Sequence, residues 1–291
     1  METTELLKKV RKIEIRTKGL VNQIFSGEYH SVFKGKGMAF SEVREYQFGD
    51  DIRLIDWNVS ARFNHPFIKV FEEERELTVM LLVDVSGSGE FGTVHQLKKD
   101  VAAELCAVLA FSALQNNDKV GVIFFSDIVE KFIPPKKGRT HVLRIVRELL
   151  DFQPLHRKTN LVEGLRYLTS AIKKRSIAFV ISDFLGDGYE DALKIAARKH
   201  DLIGVHMYDP REETIPRSGL MRVLDAETGE TAWVDTNDRS VRDGYSLWWK
   251  QQEETRRKLF RRNGVDTIDI RIDQSYIQPM MSFFRAREKR W

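Results

Sequence analysis

The sequence predicts an α/β fold: a doubly wound, mostly parallel sheet with helices on both faces, a small N-terminal β-rich segment and an inserted hairpin. Three observations carry this prediction. Residues 77–85 (LTVMLLVDV) form a continuous apolar run of strand length, which is typical of a strand covered by helices on both faces. Strand-like and helix-like segments then alternate to the end of the chain, which is typical of parallel sheets. Residues 20–76 instead mix glycines with aromatic residues.

The first 76 residues are predicted to form a segment of their own, and residues 77–291 the main domain. Residues 3–17 space their apolar side chains as an amphipathic helix does. From about residue 20, the glycines and scattered aromatics predict short strands and turns rather than helices.

The main domain is predicted element by element from its apolar patterns. Strands are expected at 77–85, 119–126, 128–133, 176–182, 202–209 and 265–272. Helices are expected at 94–115, 140–150, 161–174, 189–199 and 239–263, with a last helix ending near Trp291. Residues 210–238 contain two prolines and two β-like runs around the turn AETGET, which predicts a hairpin inserted near a sheet edge.

Composition excludes several classes of protein. The chain is 42% hydrophobic with a formal net charge of only +4, which is typical of a folded protein and does not indicate nucleic-acid binding. The basic stretch around Arg256 is interrupted by Glu253 and Glu254, so we expect a solvated helix face. Cys106 lies in an apolar run and is expected to be buried. With no signal segment and no apolar run of about 18 residues, we expect a cytoplasmic protein that does not insert into a membrane.

Oxygen-bearing side chains follow two of the predicted strands. Asp84, Ser86 and Ser88 end the first strand, and Asp183 follows the strand at 176–182. Thr159 lies in the loop before the helix at 161–174. In doubly wound sheets, ligands bind at the carboxyl ends of the strands. Carboxylate and hydroxyl oxygens suit Mg²⁺ or Mn²⁺.

These residues resemble the metal-ion-dependent adhesion site of von Willebrand factor A (VWA) domains, which combines a DxSxS loop with a later Thr and a later Asp. The resemblance implies that Ser86, Ser88 and Thr159 are hydroxyl ligands. It implies that Asp84 and Asp183 bind the ion directly or through water. In that family the open coordination position takes a carboxylate from a partner protein, so the site binds and does not catalyse.

The preceding segment resembles the bacterial proteins called domain of unknown function 58. These proteins carry a Tyr, Gly-Asp, Arg, Asp-Trp and Ser-Ala-Arg motif just upstream of the adhesion-type loop, as residues 46–62 do here. The resemblance implies a partnership with a MoxR-type AAA+ ATPase. Two departures concern metal affinity: Gly89 stands where Met is frequent, and Lys158 precedes Thr159 where Gly is frequent.

Two other interpretations use the same residues. Gly87, Gly89 and Gly92 match the GxGxxG fingerprint of dinucleotide-binding oxidoreductases. However, the acidic residue expected about 20 positions later is missing, since Asp127 is much farther along. Asp, Ser and Gly after a strand are also common turn formers and helix caps.

The upstream motif offers one further expectation. Its charged residues alternate in sign closely enough to form internal ion pairs, and we expect a structural network with Trp57 buried beside it, a partner surface being the alternative. These charged residues are Arg44, Asp50, Arg53, Asp56 and Arg62. Together with these resemblances, the sequence predicts a divalent-metal-dependent interaction module, which the resemblances imply is non-enzymatic and binds an acidic side chain of a MoxR-type ATPase.

Overall fold

The computed structural model describes residues 10–11, 13–15, 17, 19–21, 38–73, 77–92 and 96–290. Described residues between 10 and 21 are helical, and the start of the helix predicted at 3–17 lies outside them. The chain divides into two compact units: described residues within 38–77 form the smaller, and residues 10–21 group with 78–290 in the larger. The prediction that residues 1–76 and 77–291 are separate domains stays a prediction.

The smaller unit is an antiparallel strand pair with one helix. Strand β1 (Met38–Glu45) pairs with β2 (Phe67–Glu73), and helix α1 (Trp57–Phe63) lies between them in the chain. The expectation of strands and turns without helices is wrong at α1. The Asp56 carboxylate accepts hydrogen bonds from the first free N–H groups of this helix, those of Asn58 and Val59, as a helix cap does.

One of the expected ion pairs forms in the smaller unit, whereas Asp56 takes a partner outside the expected set. Arg44 donates two hydrogen bonds to Asp50, of 2.7 and 2.9 Å. Asp56 pairs with Lys69, at 3.4 Å, rather than with an arginine. Trp57 is 72% exposed, so its predicted burial is wrong. It occupies the first position of α1, directly after the Asp56 cap.

The larger unit is built on a six-stranded sheet. Its strands are β3 (Thr78–Asp84), β4 (Lys119–Phe125), β5 (Val129–Lys136), β6 (Ile177–Ser182), β7 (Asp201–Tyr208) and β10 (Asp266–Arg271). Their order is β10-β7-β6-β3-β4-β5, and only β5 is antiparallel to its neighbour. A separate two-stranded sheet consists of β8 (Leu220–Leu224) and β9 (Thr231–Asp235), so the predicted hairpin forms but does not join the main sheet.

Helices connect the strands and cover both faces of the sheet. They are α2 (Lys98–Gln115), α3 (Arg139–Asp151), α4 (Leu161–Ala171), α5 (Glu190–Lys199), α6 (Pro210–Glu213), α7 (Arg239–Arg262) and α8 (Ile277–Glu288). The short α6 was not predicted. Among the described residues, none of the helices is long and apolar enough to cross a bilayer.

Close packing between helices and strands fixes the sheet. Met80 and Leu82 of β3 share one core cluster with Leu161 and Leu165 of α4, because apolar residues four apart lie on one helix face. Cys106 of α2 is fully buried as expected, and burial raises the pKa of its thiol.

The topology determines where a site can form. After β3 the chain moves to β4 on one side and later returns to β6 on the other. The carboxyl ends of β3 and β6 therefore lie side by side at the switch point of the sheet, where doubly wound folds bind their ligands.

Candidate functional site

The DVSGS loop begins where β3 ends, and its first carboxylate is held from two sides. Asp84 Oδ1 accepts a hydrogen bond from the backbone N–H of Ser86, at 3.0 Å. Asp84 Oδ2 accepts one from the Ser182 hydroxyl, at 2.7 Å. Because Ser182 ends the neighbouring strand β6, the two strand ends are tied together at this carboxylate.

The two loop serines face each other and reach toward the second strand end. Ser86 Oγ and Ser88 Oγ are 3.1 Å apart, and Ser88 donates a hydrogen bond to Asp183. Neighbouring ligands of an octahedral ion with metal–oxygen bonds of 2.0–2.1 Å are separated by about 3.0 Å. The spacing of the two hydroxyls therefore fits adjacent positions around such an ion.

A buried lysine that sequence reasoning missed stands behind Asp183. Lys98, the first residue of α2, donates a hydrogen bond to Asp183 Oδ2 at 3.1 Å and contacts Glu212 of α6. Its side chain is only 3% exposed. Burial alone would lower the pKa of Lys98, but the charges of Asp183 and Glu212 outweigh burial and raise it. Lys98 is thus a fixed cation that joins three elements.

The two carboxylates of the site are charged to different degrees. Burial raises the pKa of Asp84 to about 6, and the nearby charge of Asp183 adds to the effect. Burial would also raise the pKa of Asp183, but the Lys98 ammonium and the hydrogen bond from Ser88 lower it instead. Lys98 therefore neutralises Asp183, and Asp84 carries the charge that a further cation would stabilise.

Thr159 meets a carboxylate that the sequence did not single out. Its hydroxyl donates a hydrogen bond of 2.8 Å to Glu227 Oε1, and its backbone N–H lies 3.4 Å from Glu227 Oε2. Glu227 belongs to the turn between β8 and β9. The inserted hairpin thus reaches the loop that carries the predicted threonine ligand.

Backbone contacts draw the same three loops together. The N–H of Gly87 donates to the carbonyl of Arg157, at 2.7 Å. A Cβ atom at Gly87 would lie only 2.2 Å from the carbonyl oxygen of Ala226, so only glycine allows the hairpin turn to approach so closely. A cleft of about 540 Å³ opens beside this contact, lined partly by Asp84, Ser86 and Arg157.

The predicted ligands are therefore placed as follows. Asp84, Ser86, Ser88 and Asp183 form one hydrogen-bonded group, while Thr159 lies on an adjoining loop and is bonded to Glu227. Lys158, whose charge the sequence places near the ion, is exposed.

The residues that sequence reasoning missed are Lys98, Glu212 and Glu227. Glu212 had a signal: Asp209-Pro210 followed by Glu212 is a capping box with proline at the first helical position. Lys98 and Glu227 had none, because their roles depend on how distant segments pack.

The dinucleotide alternative finds no support in the glycine loop. A pyrophosphate cradle needs the glycines to open a helix. Here Gly87–Glu90 form a 3₁₀ turn and α2 begins only at Lys98. The carbonyl of Ala226 also lies against Gly87, where the phosphates would have to approach.

A second polar group within the described residues consists of His206, Glu253 and Asp269. Arg256 donates hydrogen bonds to both carboxylates. Burial would raise the pKa of Asp269, but the hydrogen bond of His206 and the charge of Arg256 lower it to about 2. Arg257 pairs with the same two carboxylates, so two guanidiniums balance two carboxylates and this group is an ion-pair network. Arg256 is only 4% exposed. The prediction that the basic stretch of α7 is a solvated helix face is therefore wrong at this residue.

Residues 42–255 match the family model described as "Protein of unknown function DUF58". The chain belongs to the DUF58 family. An uncharacterized protein of Mycobacterium tuberculosis (strain H37Rv) is 26% identical over 292 residues, covering 99% of this chain and 92% of the relative.

Two solved structures are similar to parts of the DUF58 chain. BatB from Bacteroides thetaiotaomicron is 18% identical, with a TM-score of 0.49, over 73% of this chain and 99% of that one. The VWA domain of SpRpn10 is also 18% identical, with a TM-score of 0.36, over 46% of this chain and 76% of that one. The DUF58 protein has the predicted α/β fold, a doubly wound, mostly parallel sheet.

Proposed function

We propose that this DUF58 protein is a divalent-metal-dependent protein interaction module whose site contains Asp84, Ser86, Ser88, Thr159 and Asp183. One observation carries the proposal: the carboxylates and hydroxyls at the ends of β3 and β6 form a single compact group, with Ser86 Oγ and Ser88 Oγ 3.1 Å apart. Hard oxygen donors at this spacing suit Mg²⁺ or Mn²⁺.

The charge balance also favours a cation. Asp84, Asp183 and Glu212 are three acidic groups with one ammonium, that of Lys98, among them. Burial raises the pKa of Asp84 to about 6, and the negative charge of Asp183 adds to the rise. A bound divalent ion would supply positive charge and a coordination position open to an incoming oxygen.

The partner class follows from that open position. An Asp or Glu side chain of another protein would gain both a metal bond and charge neutralisation. Among DUF58-like proteins the resemblance points to a MoxR-type AAA+ ATPase, and we propose that this protein is its cytoplasmic adaptor. The site is proposed to bind and not to catalyse, because its hydroxyls bond one another and the carboxylates, and within the described residues no histidine base pairs with them.

Metal binding is tested by thermal unfolding in Mg²⁺ or Mn²⁺ against chelator. At a hundredfold excess of metal over Kd, we expect about 2.7 kcal/mol of stabilisation, which raises the Tm by about 5–10 °C. Ser86→Ala should remove most of this increase. The matched control is Ser170→Ala, an exposed serine on α4, which should keep it. Equal Tm values with metal and chelator for the unmodified protein would refute metal binding.

Partner binding is tested by capture of a purified MoxR-type ATPase on the immobilised full chain. We expect capture in Mg²⁺, loss of capture in chelator, and loss with Asp84→Asn. Asp191→Asn, at an exposed position of α5, is the control and should capture normally. If capture is unchanged both in chelator and with Asp84→Asn, the ATPase does not dock at this site.

A further inference from the structure

We propose that Glu227 is a built-in acidic ligand of the candidate metal site, which a partner's carboxylate must displace before it can bind. The inference rests on the proposed function, because it concerns the regulation of the same site. It assigns a role to the inserted hairpin, which the VWA-like fold does not require.

The first argument is the chemistry of the contact. Glu227 offers the group that the open coordination position is proposed to receive from a partner, a carboxylate. Its Oε1 lies 2.8 Å from the Thr159 hydroxyl, close to the separation of about 3.0 Å between neighbouring ligands of an octahedral ion. A hydroxyl that donates its proton to Glu227 keeps its lone pairs for a metal.

The second argument is that the turn is shaped to present this side chain. Asp225 Oδ1 accepts hydrogen bonds from the backbone N–H groups of Glu227 and Thr228, at 2.8 and 3.2 Å. The N–H of Gly229 donates to the carbonyl of Asp225. These bonds close the turn tightly, and the neighbouring Ala226 lies directly on Gly87 of the DVSGS loop.

The third argument is that, among the described residues, the hydrogen bonds that tie the hairpin to the rest of the larger unit lie at its two ends. At the base, the fully buried Thr236 bonds the backbone of Ser218 and Gly219. At the tip, Glu227 bonds Thr159. Between them the strands are largely exposed, including Leu224 and Trp233, and they share no ladder with the main sheet. Loss of the tip contact would therefore free the hairpin to swing from its base.

The arrangement lowers the apparent affinity for any acidic partner. A site that is open for only a fraction of the time binds its ligand more weakly by that fraction. A partner must therefore supply either a better-placed carboxylate or further contacts that hold the hairpin away. The acidic ligand in the same chain would keep the metal site from binding carboxylates indiscriminately.

Docking of the tip is tested first without metal, by hydrogen exchange at residues 225–229 in chelator. Glu227→Gln keeps an oxygen that Thr159 can donate to but removes the charge, and we expect exchange about tenfold faster. The control is Glu230→Gln, an exposed glutamate of the same hairpin, with exchange unchanged. Equal exchange in Glu227→Gln and the unmodified protein would overturn the docking contact.

Coordination is then tested with Mn²⁺ alone, by the water-proton relaxation rate per bound ion. We expect Glu227→Gln to add the equivalent of about one exchangeable water, with Glu230→Gln unchanged. Gly87→Ala keeps every donor side chain but pushes Ala226 away, so it should act like Glu227→Gln in both measurements.

Bound Mn²⁺ with the same relaxation in all variants would overturn Glu227 as a ligand while leaving the metal site intact. Failure of every variant to bind Mn²⁺ would overturn the metal site itself. In that case faster exchange in Glu227→Gln would still show that the tip is docked through this carboxylate.

Discussion

Replacing Lys98 with methionine should destabilise the protein far more than a similar change one residue later. Lys98 is the buried cation between Asp183 and Glu212, and its side chain is 3% exposed. Methionine has nearly the same length, so little cavity forms and the main loss is charge. Lys99 offers the matched control, because its side chain is 55% exposed and lies 3.6 Å from an exposed Glu90.

The magnitude follows from the geometry of the buried pair. At the 3.1 Å that separates Lys98 Nζ from Asp183 Oδ2, two unit charges attract by about 5 kcal/mol at an effective dielectric constant of about 20. Removing one partner of a buried ion pair costs about 3–5 kcal/mol, because the other charge stays buried and uncompensated. We therefore expect Lys98→Met to lower the free energy of unfolding by about 3–5 kcal/mol, and Lys99→Met to change it by at most about 0.5 kcal/mol.

The assay is urea unfolding in chelator, followed by circular dichroism at neutral pH. A double variant, Lys98→Met with Glu212→Gln, should recover part of the loss because it removes one of the two stranded charges. A loss below about 1 kcal/mol in Lys98→Met, or a loss equal to that of Lys99→Met, would refute the buried-cation argument.

Three further predictions concern the larger unit. Burial lowers the pKa of His200 to about 4. Between about pH 6.5 and pH 4, this histidine is therefore protonated in the unfolded chain and neutral in the folded chain. His200 alone should then lower the free energy of unfolding by about 3 kcal/mol between pH 6.5 and 4. Urea titrations should show a smaller fall in His200→Gln than in the unmodified protein, whereas the exposed His65→Gln should behave like the unmodified protein. Gly204→Ala would place a Cβ 2.3 Å from the Phe260 ring and should cost about 1–3 kcal/mol. Gly244→Ala, in open space on α7, should instead stabilise by up to about 1 kcal/mol in the same assay, and a loss there would contradict the helix-propensity argument.

The sheet was predictable because its strands are marked locally. β3, β4, β6 and β7 are apolar almost throughout and are buried almost throughout. The oxygen-bearing residues at the ends of these strands, such as Asp84 at the end of β3 and Asp183 after β6, could be assigned to one sheet edge because parallel strands end together.

The partners of those donors were not predictable in the same way. Glu227 bonds Thr159 across 68 positions of chain, and Lys98 bonds Asp183 across 85. Neither residue differs in local sequence from a solvated charge, so only the packed fold distinguishes them. The predicted burial of Trp57 was wrong because it relied on the residue type alone. Tryptophan is buried on average, but in the described part of the small unit Ile68 is the one buried apolar side chain.

The small unit interrupts the large one in the chain, and this matters for anyone who shortens the protein. Val10 and Val21, which precede the small unit, are buried, and Glu14 accepts two hydrogen bonds from Arg139 of α3, at 2.7 and 3.0 Å. A fragment that starts at residue 77 would discard these contacts together with the strand pair. Excision of the small unit with rejoining of the flanking chain would preserve them, so the larger unit is best treated as one domain into which the smaller unit is inserted.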